Sequence, residues 1–169
     1  MSKKLFTFLG LLRLAMGWLF LWAFLDKLFG LGFSTPRNLA WINGGSPTSG
    51  FLKGAVTGPL SGFYHSLAGS SLVDWLFMMG LFFVGICLVL GIFVRFASLI
   101  GVVLLSLMYL ALIPPKNNPI LDDHIIYILV MLVLYFGESG RFLGLGSWWN
   151  SLPLVQKYSI FRNVEIENN

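Results

Sequence analysis

Four apolar runs divide this chain. The first, residues 5–25, carries a single charge, Arg13, and ends at Asp26-Lys27. The second, residues 72–94, holds an early Asp74 and is closed by Arg95, while the third, residues 96–113, has no charge and stops at Pro114-Pro115. A helix needs about 20 largely apolar residues to cross a bilayer, so each run predicts a membrane span. The fourth run is uninterrupted only over residues 125–137 and reaches spanning length if its helix begins near Pro119. Asn118 would then cap it, Pro119 would take the first helical position, and Asp122 and Asp123 would lie near the positive end of the helix dipole. The expected spans are therefore about 5–25, 72–94, 96–113 and 119–137.

The connection over residues 30–71 is rich in Gly, Ser and Pro yet also holds Trp41, Phe51, Phe63 and Tyr64. Those aromatics predict an ordered cap resting on the membrane. Thr35-Pro36 can start a short helix that Gly44 ends, and residues 60–67 can form a second interfacial segment. In the second run, Gly80, Gly85 and Gly91 suit close helix packing, since no strand precedes them and no phosphate-loop spacing occurs. An up-down-up-down path puts Lys3, Lys4, Arg95, Arg141, Lys157 and Arg162 on one side and Lys27, Arg37, Lys53 and Lys116 on the other. The positive-inside rule then places both termini, including the tail 150–169, in the cytoplasm of a multi-pass plasma-membrane protein. The start Met1-Ser-Lys-Lys looks like the head of a signal peptide, but the apolar run continues without a small-residue cleavage site and reads as a retained span.

Composition narrows the class further. Of 169 residues, 57% are hydrophobic and 11% charged, against roughly 25% charged in soluble domains, which excludes an ordinary water-soluble fold. The expectation is an all-α integral membrane protein, one domain built as a four-transmembrane-helix bundle with a long, partly helical outer loop. The net charge of +4 comes from cations scattered at helix ends with no basic run, which argues for membrane orientation and against nucleic acid. One cysteine, Cys87, allows neither a disulfide within the chain nor a Cys-based metal site.

Ionisable groups at membrane depth need a partner or a function. Threading gathers Asp26, Lys27, Asp74, Asp122, Asp123 and His124 at the outer end, and Arg13, Arg95, Glu138 and Arg141 at the inner end, with Arg13 and Glu138 as the natural pair. His124, Tyr127, Met131, Tyr135 and Glu138 share one face of the fourth helix by their spacing. On the first helix Gly10, Arg13, Gly17, Phe20, Phe24 and Lys27 share another, and the two stripes are expected to face each other. A histidine among carboxylates and tyrosines suits a quinone head group, whose reduction consumes two protons and two electrons. The same residues also read as a solvated helix start, and Arg13 with Glu138 as a packing ion pair. Asp122, Asp123 and His124 are consecutive and point in different directions, so no metal site is expected from them.

Three segments, LRLAMGWLFLWAFLDKLF at 12–29, WINGGSPTSGFL at 41–52 and NPILDDH at 118–124, closely resemble the DoxD family within the wider DoxX-like group. The resemblance extends through Gly85 to Arg95 and GRFLGLGSWW at 140–149. It implies the membrane subunit of a thiosulfate:quinone oxidoreductase, which oxidises thiosulfate to tetrathionate, passes electrons to a membrane quinone and works with a second subunit, DoxA. Asp122, Asp123, His124, Asp26 and Lys27 become the candidate catalytic residues, and Arg13, Tyr127, Tyr135 and Glu138 the candidate quinone contacts. Thiosulfate would approach near Lys27 and the long loop, and quinone from lipid. The competing expectation is a non-catalytic scaffold that anchors a soluble redox partner. A homo-oligomer remains open, and a transporter is disfavoured because no span is visibly broken and no inverted repeat appears.

Overall fold

The computed structural model describes residues 3–116, 118–137 and 139–158, and every element among them is a helix or a short helical turn. Helix α1 runs over Lys3–Phe29, α2 over Ser49–Gly54, α3 over Ser61–Leu67, α4 over Ser71–Leu90, α5 over Val94–Ala111 and α6 over Asp123–Phe136, with α7 at Gly146–Ser151 and α8 at Pro153–Lys157. Three of these, α1, α4 and α5, are long and apolar enough to cross a membrane. Their outward faces expose large apolar side chains such as Phe8, Trp18, Leu76 and Val103, which a water-facing surface does not tolerate in such numbers. The protein is a membrane protein by this measure.

Helix α6 is shorter than the sequence predicts. It starts at Asp123 rather than near Pro119, and Asp122 caps it in place of Asn118, whose side-chain oxygen instead accepts from the N–H groups of Ile120 and Leu121 at 3.0 Å. Its 14 residues rise about 21 Å at 1.5 Å per residue, short of the ~30 Å hydrocarbon core. The boundary between α4 and α5 also moves. Gly91 (φ 75°) and Phe93 (φ 48°) turn the chain, so Val94 and Arg95 open α5 rather than closing α4.

Glycines decide which helices touch. A Cβ on Gly17 would lie 2.8 Å from the Val89 nitrogen, and one on Gly85 2.7 Å from the Leu21 nitrogen, so α1 and α4 meet backbone to backbone. Met131 of α6 fills the space that Gly101 leaves on α5. The two predicted stripes therefore do not face each other: that of α1 packs on α4 and that of α6 on α5. Helices α1 and α6 meet chiefly at one end, where Gly137 lies against Leu9. Phe20, Phe24, Met78, Leu81, Val84, Leu88, Leu105, Met131 and Leu134 form the common core.

The connection between α1 and α4 is ordered by side chains rather than by length of helix. Thr35-Pro36 leads not to one helix but to two short 3-10 turns, Arg37–Leu39 and Trp41–Asn43, the second ended by Gly44 in the left-handed region. Leu52, Val56 and Tyr64 then bury a small second core against Ala111, and the Tyr64 hydroxyl donates to the Leu107 carbonyl at 2.9 Å. Thus α2 and α3 cap the end of α5. At the other end of the bundle, the Leu145 N–H donates to the Leu90 carbonyl at 2.8 Å and brings α7 and α8 under the α4–α5 turn.

Candidate functional site

The sequence-predicted residues separate into three places. The first is a cleft of about 370 Å³ at the start of α6, lined by Thr57, Lys116 and Asn118 together with Asp122, Asp123 and His124. Asp122 has extended backbone (φ −127°), as an N-cap requires, and its Oδ1 accepts from the Ile125 N–H at 3.2 Å. Its Oδ2 meets His124 Nδ1 at 2.7 Å, with both side chains 17% exposed. One carboxylate thus ends a helix and orients an imidazole. The Tyr109 hydroxyl donates to the Ile120 carbonyl at 2.8 Å, which ties the preceding turn to α5 and holds the cap in position.

Asp122 Oδ2 and His124 Nδ1 form a hydrogen-bonded pair that orients the imidazole, and His124 Nε2 has no hydrogen-bond partner among the described residues. Partial burial opposes ionisation of Asp122, but the hydrogen bonds from His124 and Ile125 and the attraction of the imidazole together outweigh it, holding the carboxyl below its ordinary range. Asp122, Asp123 and Lys116 give the cleft a formal charge of −1 beside His124. That balance does not draw in a dianion.

The second place is the end of α1, and neither Asp26 nor Lys27 lines the cleft. Asp26 is 1% exposed and accepts from the Phe33 N–H (3.2 Å), the Ser34 N–H (2.9 Å) and the Ser34 hydroxyl (2.6 Å). Lys27 Nζ reaches Ser34 Oγ at 3.4 Å. Asp74, at the start of α4, similarly accepts from Ser46, the Thr48 N–H and the Thr48 hydroxyl, the last at 2.6 Å. Both buried carboxylates hold the long connection in place.

The third place is the opposite end of the bundle. Arg13 is fully buried, and its five N–H donors meet five carbonyls: Nε to Ser139, Nη1 to Leu88 and Val89, and Nη2 to Phe142 and Leu143. Its expected partner Glu138 lies outside the described residues. Tyr135 stands here too, with its hydroxyl 3.3 Å from Arg95 Nη2 and the Arg95 guanidinium 4.7 Å from the ring centroid. Tyr127 lies between, half-buried against the core. Eleven residues, or about 16 Å of helix, separate His124 from Tyr135, so one quinone ring cannot touch both.

Sequence reasoning missed the lining roles of Lys116 and Thr57. Lys116 follows Pro114-Pro115 directly and precedes the capping turn, which was a readable signal; Thr57 arrives only through the folding of the long connection. Among the described residues no three His, Cys, Asp or Glu side chains converge as a metal ion would need. Comparison with known proteins finds no matching family model, no matching curated protein and no matching solved structure.

Proposed function

We propose that this chain is a DoxD-type membrane subunit of a thiosulfate:quinone oxidoreductase, and that the cleft at the start of α6 receives the quinone head group. The observation that carries the reading is His124, which lines the cleft with its Nδ1 held by Asp122 and its Nε2 without a hydrogen-bond partner among the described residues. An imidazole positioned in this way takes up a proton and passes it to a quinone oxygen, the general acid–base role for which histidine is best suited at neutral pH. Ile120, 69% exposed, and Leu121 continue the apolar surface just ahead of the cap, which supports access from lipid and α6 as a fourth span. The anionic cleft leaves thiosulfate to the cations of the same end, Lys27, Arg37 and Lys53. Both termini lie in the cytoplasm of a plasma-membrane protein in this reading, and a DoxA-like subunit completes the enzyme.

The test is thiosulfate-dependent reduction of a soluble quinone analogue by the purified protein, with and without a co-expressed DoxA-like subunit. His124→Ala is expected to lower turnover about 100-fold or more, the usual weight of a general acid or base, while the protein stays folded. Unchanged turnover removes His124 from the mechanism.

One set of contacts favours a second reading, a scaffold that anchors a soluble redox partner. Asp26, Asp74 and Arg13, three of the ionisable groups that stand out in the sequence, are all committed to holding loops and helices together. Capture of a soluble electron carrier without any quinone reduction, in either subunit composition, is the outcome that selects it.

A further inference from the structure

We infer that the Asp122–His124 pair exchanges protons only with the face of the membrane that carries α2 and α3, so that quinone reduction in the cleft takes both its protons from that side. The inference rests on the oxidoreductase reading for its chemistry, but its structural half, one-sided access of water to His124, stands on the packing alone.

On the α2–α3 face the route is open. The cleft is walled by Ala55 and Thr57 and by the connection that follows α5, and its lining residues Asp123 and Lys116 are exposed. The titratable groups around the pair include Asp123 and Lys116, which line the cleft, Tyr127 three residues along α6, Tyr109 of α5 and, behind the wall residues, His65 of α3. The Tyr109 hydroxyl donates to the Ile120 carbonyl, and His65 Nε2 lies 3.4 Å from the Val56 carbonyl. Asp123 and Lys116 are therefore the groups placed to pass protons between bulk water and the imidazole.

Toward the other face the route is closed. Below Tyr127 the inward side of α6 becomes Met131 and Leu134, packed into a core with Val84 and Leu105, all 4% exposed or less. The one buried hydroxyl of α5, Ser98, has no hydrogen-bond partner among the described residues, so it belongs to no chain of donors. Proton transfer needs a continuous line of hydrogen-bonding groups or water, and a packed apolar layer supplies neither. At the far end all five Arg13 donors are engaged by carbonyls.

The chemistry balances on this arrangement. Two thiosulfate ions each give up one electron and join through a new sulfur–sulfur bond to form tetrathionate. One quinone takes the two electrons and, at its two carbonyl oxygens, two protons. Thiosulfate oxidation releases no proton, so both come from water, and the sealed core assigns them to the cleft side.

Two measurements on the full chain, reconstituted in liposomes with its DoxA-like subunit, separate the parts. In a Cys87→Ser background, His124→Cys is probed with a membrane-impermeant maleimide. Lys116→Cys marks the cleft face and Lys157→Cys the opposite one, and both still report sidedness if the 124 variant folds poorly. The expected result is labelling at 124 from the Lys116 face only; labelling from the Lys157 face overturns the inference. With the unsubstituted complex, a pH-sensitive dye in each compartment should record two protons lost from the Lys116 side for each short-chain quinone analogue reduced by thiosulfate. Loss from the other side overturns the inference even though turnover occurs. One-sided labelling with no quinone reduction instead overturns the oxidoreductase reading and leaves the access route standing.

Discussion

Asp122 combines two jobs that are usually separate. It caps α6 through one oxygen and orients His124 through the other, so substitutions at this position separate structure from chemistry. Asn is as good an N-cap as Asp, and Asp122→Asn is expected to cost under about 1 kcal/mol of stability. It loses the charge that fixes the imidazole while leaving the imidazole itself, so turnover should fall by roughly 10- to 100-fold, at or below the lower end of acid–base contributions. A loss of turnover matched by global unfolding would refute that separation. The pH dependence follows from the depressed carboxyl. Its stabilising contribution is fully present above the ordinary aspartate value of about 3.9 and is lost as pH falls through the lower folded value. Thermal unfolding in detergent should therefore show the wild type losing its advantage over Asp122→Asn as pH drops below about 4. The candidate cluster of Asp122, Asp123 and His124 was legible because consecutive polar residues at the edge of an apolar run are conspicuous. Which of two Asx residues, Asn118 or Asp122, caps the helix was not, because local sequence suits both and Tyr109, nine residues before the earlier candidate, ties down the turn between them.

At the scale of helices, the close contact of α1 with α4 predicts unequal tolerance among glycines. Gly85→Ala puts a methyl 2.7 Å from the backbone of Leu21, which cannot yield without separating the helices. Gly80→Ala meets only the tip of the Leu104 side chain at 2.8 Å, which can rotate away. The first substitution should destabilise the protein by about 1–3 kcal/mol, the usual cost of overpacking, and the second by distinctly less. Equal melting temperatures for the two variants in the same detergent would contradict this packing. The existence of α1, α4 and α5 was legible from apolar runs of spanning length, since a bilayer demands little else. Their ends were not, because apolar character continues through the Gly91–Phe93 turn and hydropathy alone does not register a change of backbone direction.

For the molecule as a whole, Arg13 is the joint between α1, the last turn of α4 and the segment 139–143. Its cation also sits against the carbonyl end of α4, where the helix dipole favours positive charge. Arg13→Ala leaves buried carbonyls without donors, and the expected loss is about 3 kcal/mol or more. Arg13→Lys should rescue little, because three donors on one nitrogen cannot reproduce a planar five-donor fork. Limited proteolysis is the check: cleavage within 139–158 should precede cleavage elsewhere in both variants, and protection equal to the wild type would show that the joint is dispensable.

The sequence by itself determined that the chain is helical and belongs in a membrane, and which few ionisable residues stand out against the apolar background. Those properties depend on composition and on patterns within a single helix. Tertiary structure alone decided which helix faces meet, and so which stripe became core and which carboxylates became loop anchors. It placed Asp26 among the loop anchors and Arg13 and Tyr135 at the opposite end of the bundle, and brought Lys116 and Thr57 to His124. The reason is physical: contacts between helices depend on where small residues let backbones approach and where connections fold back, neither of which is encoded in local periodicity.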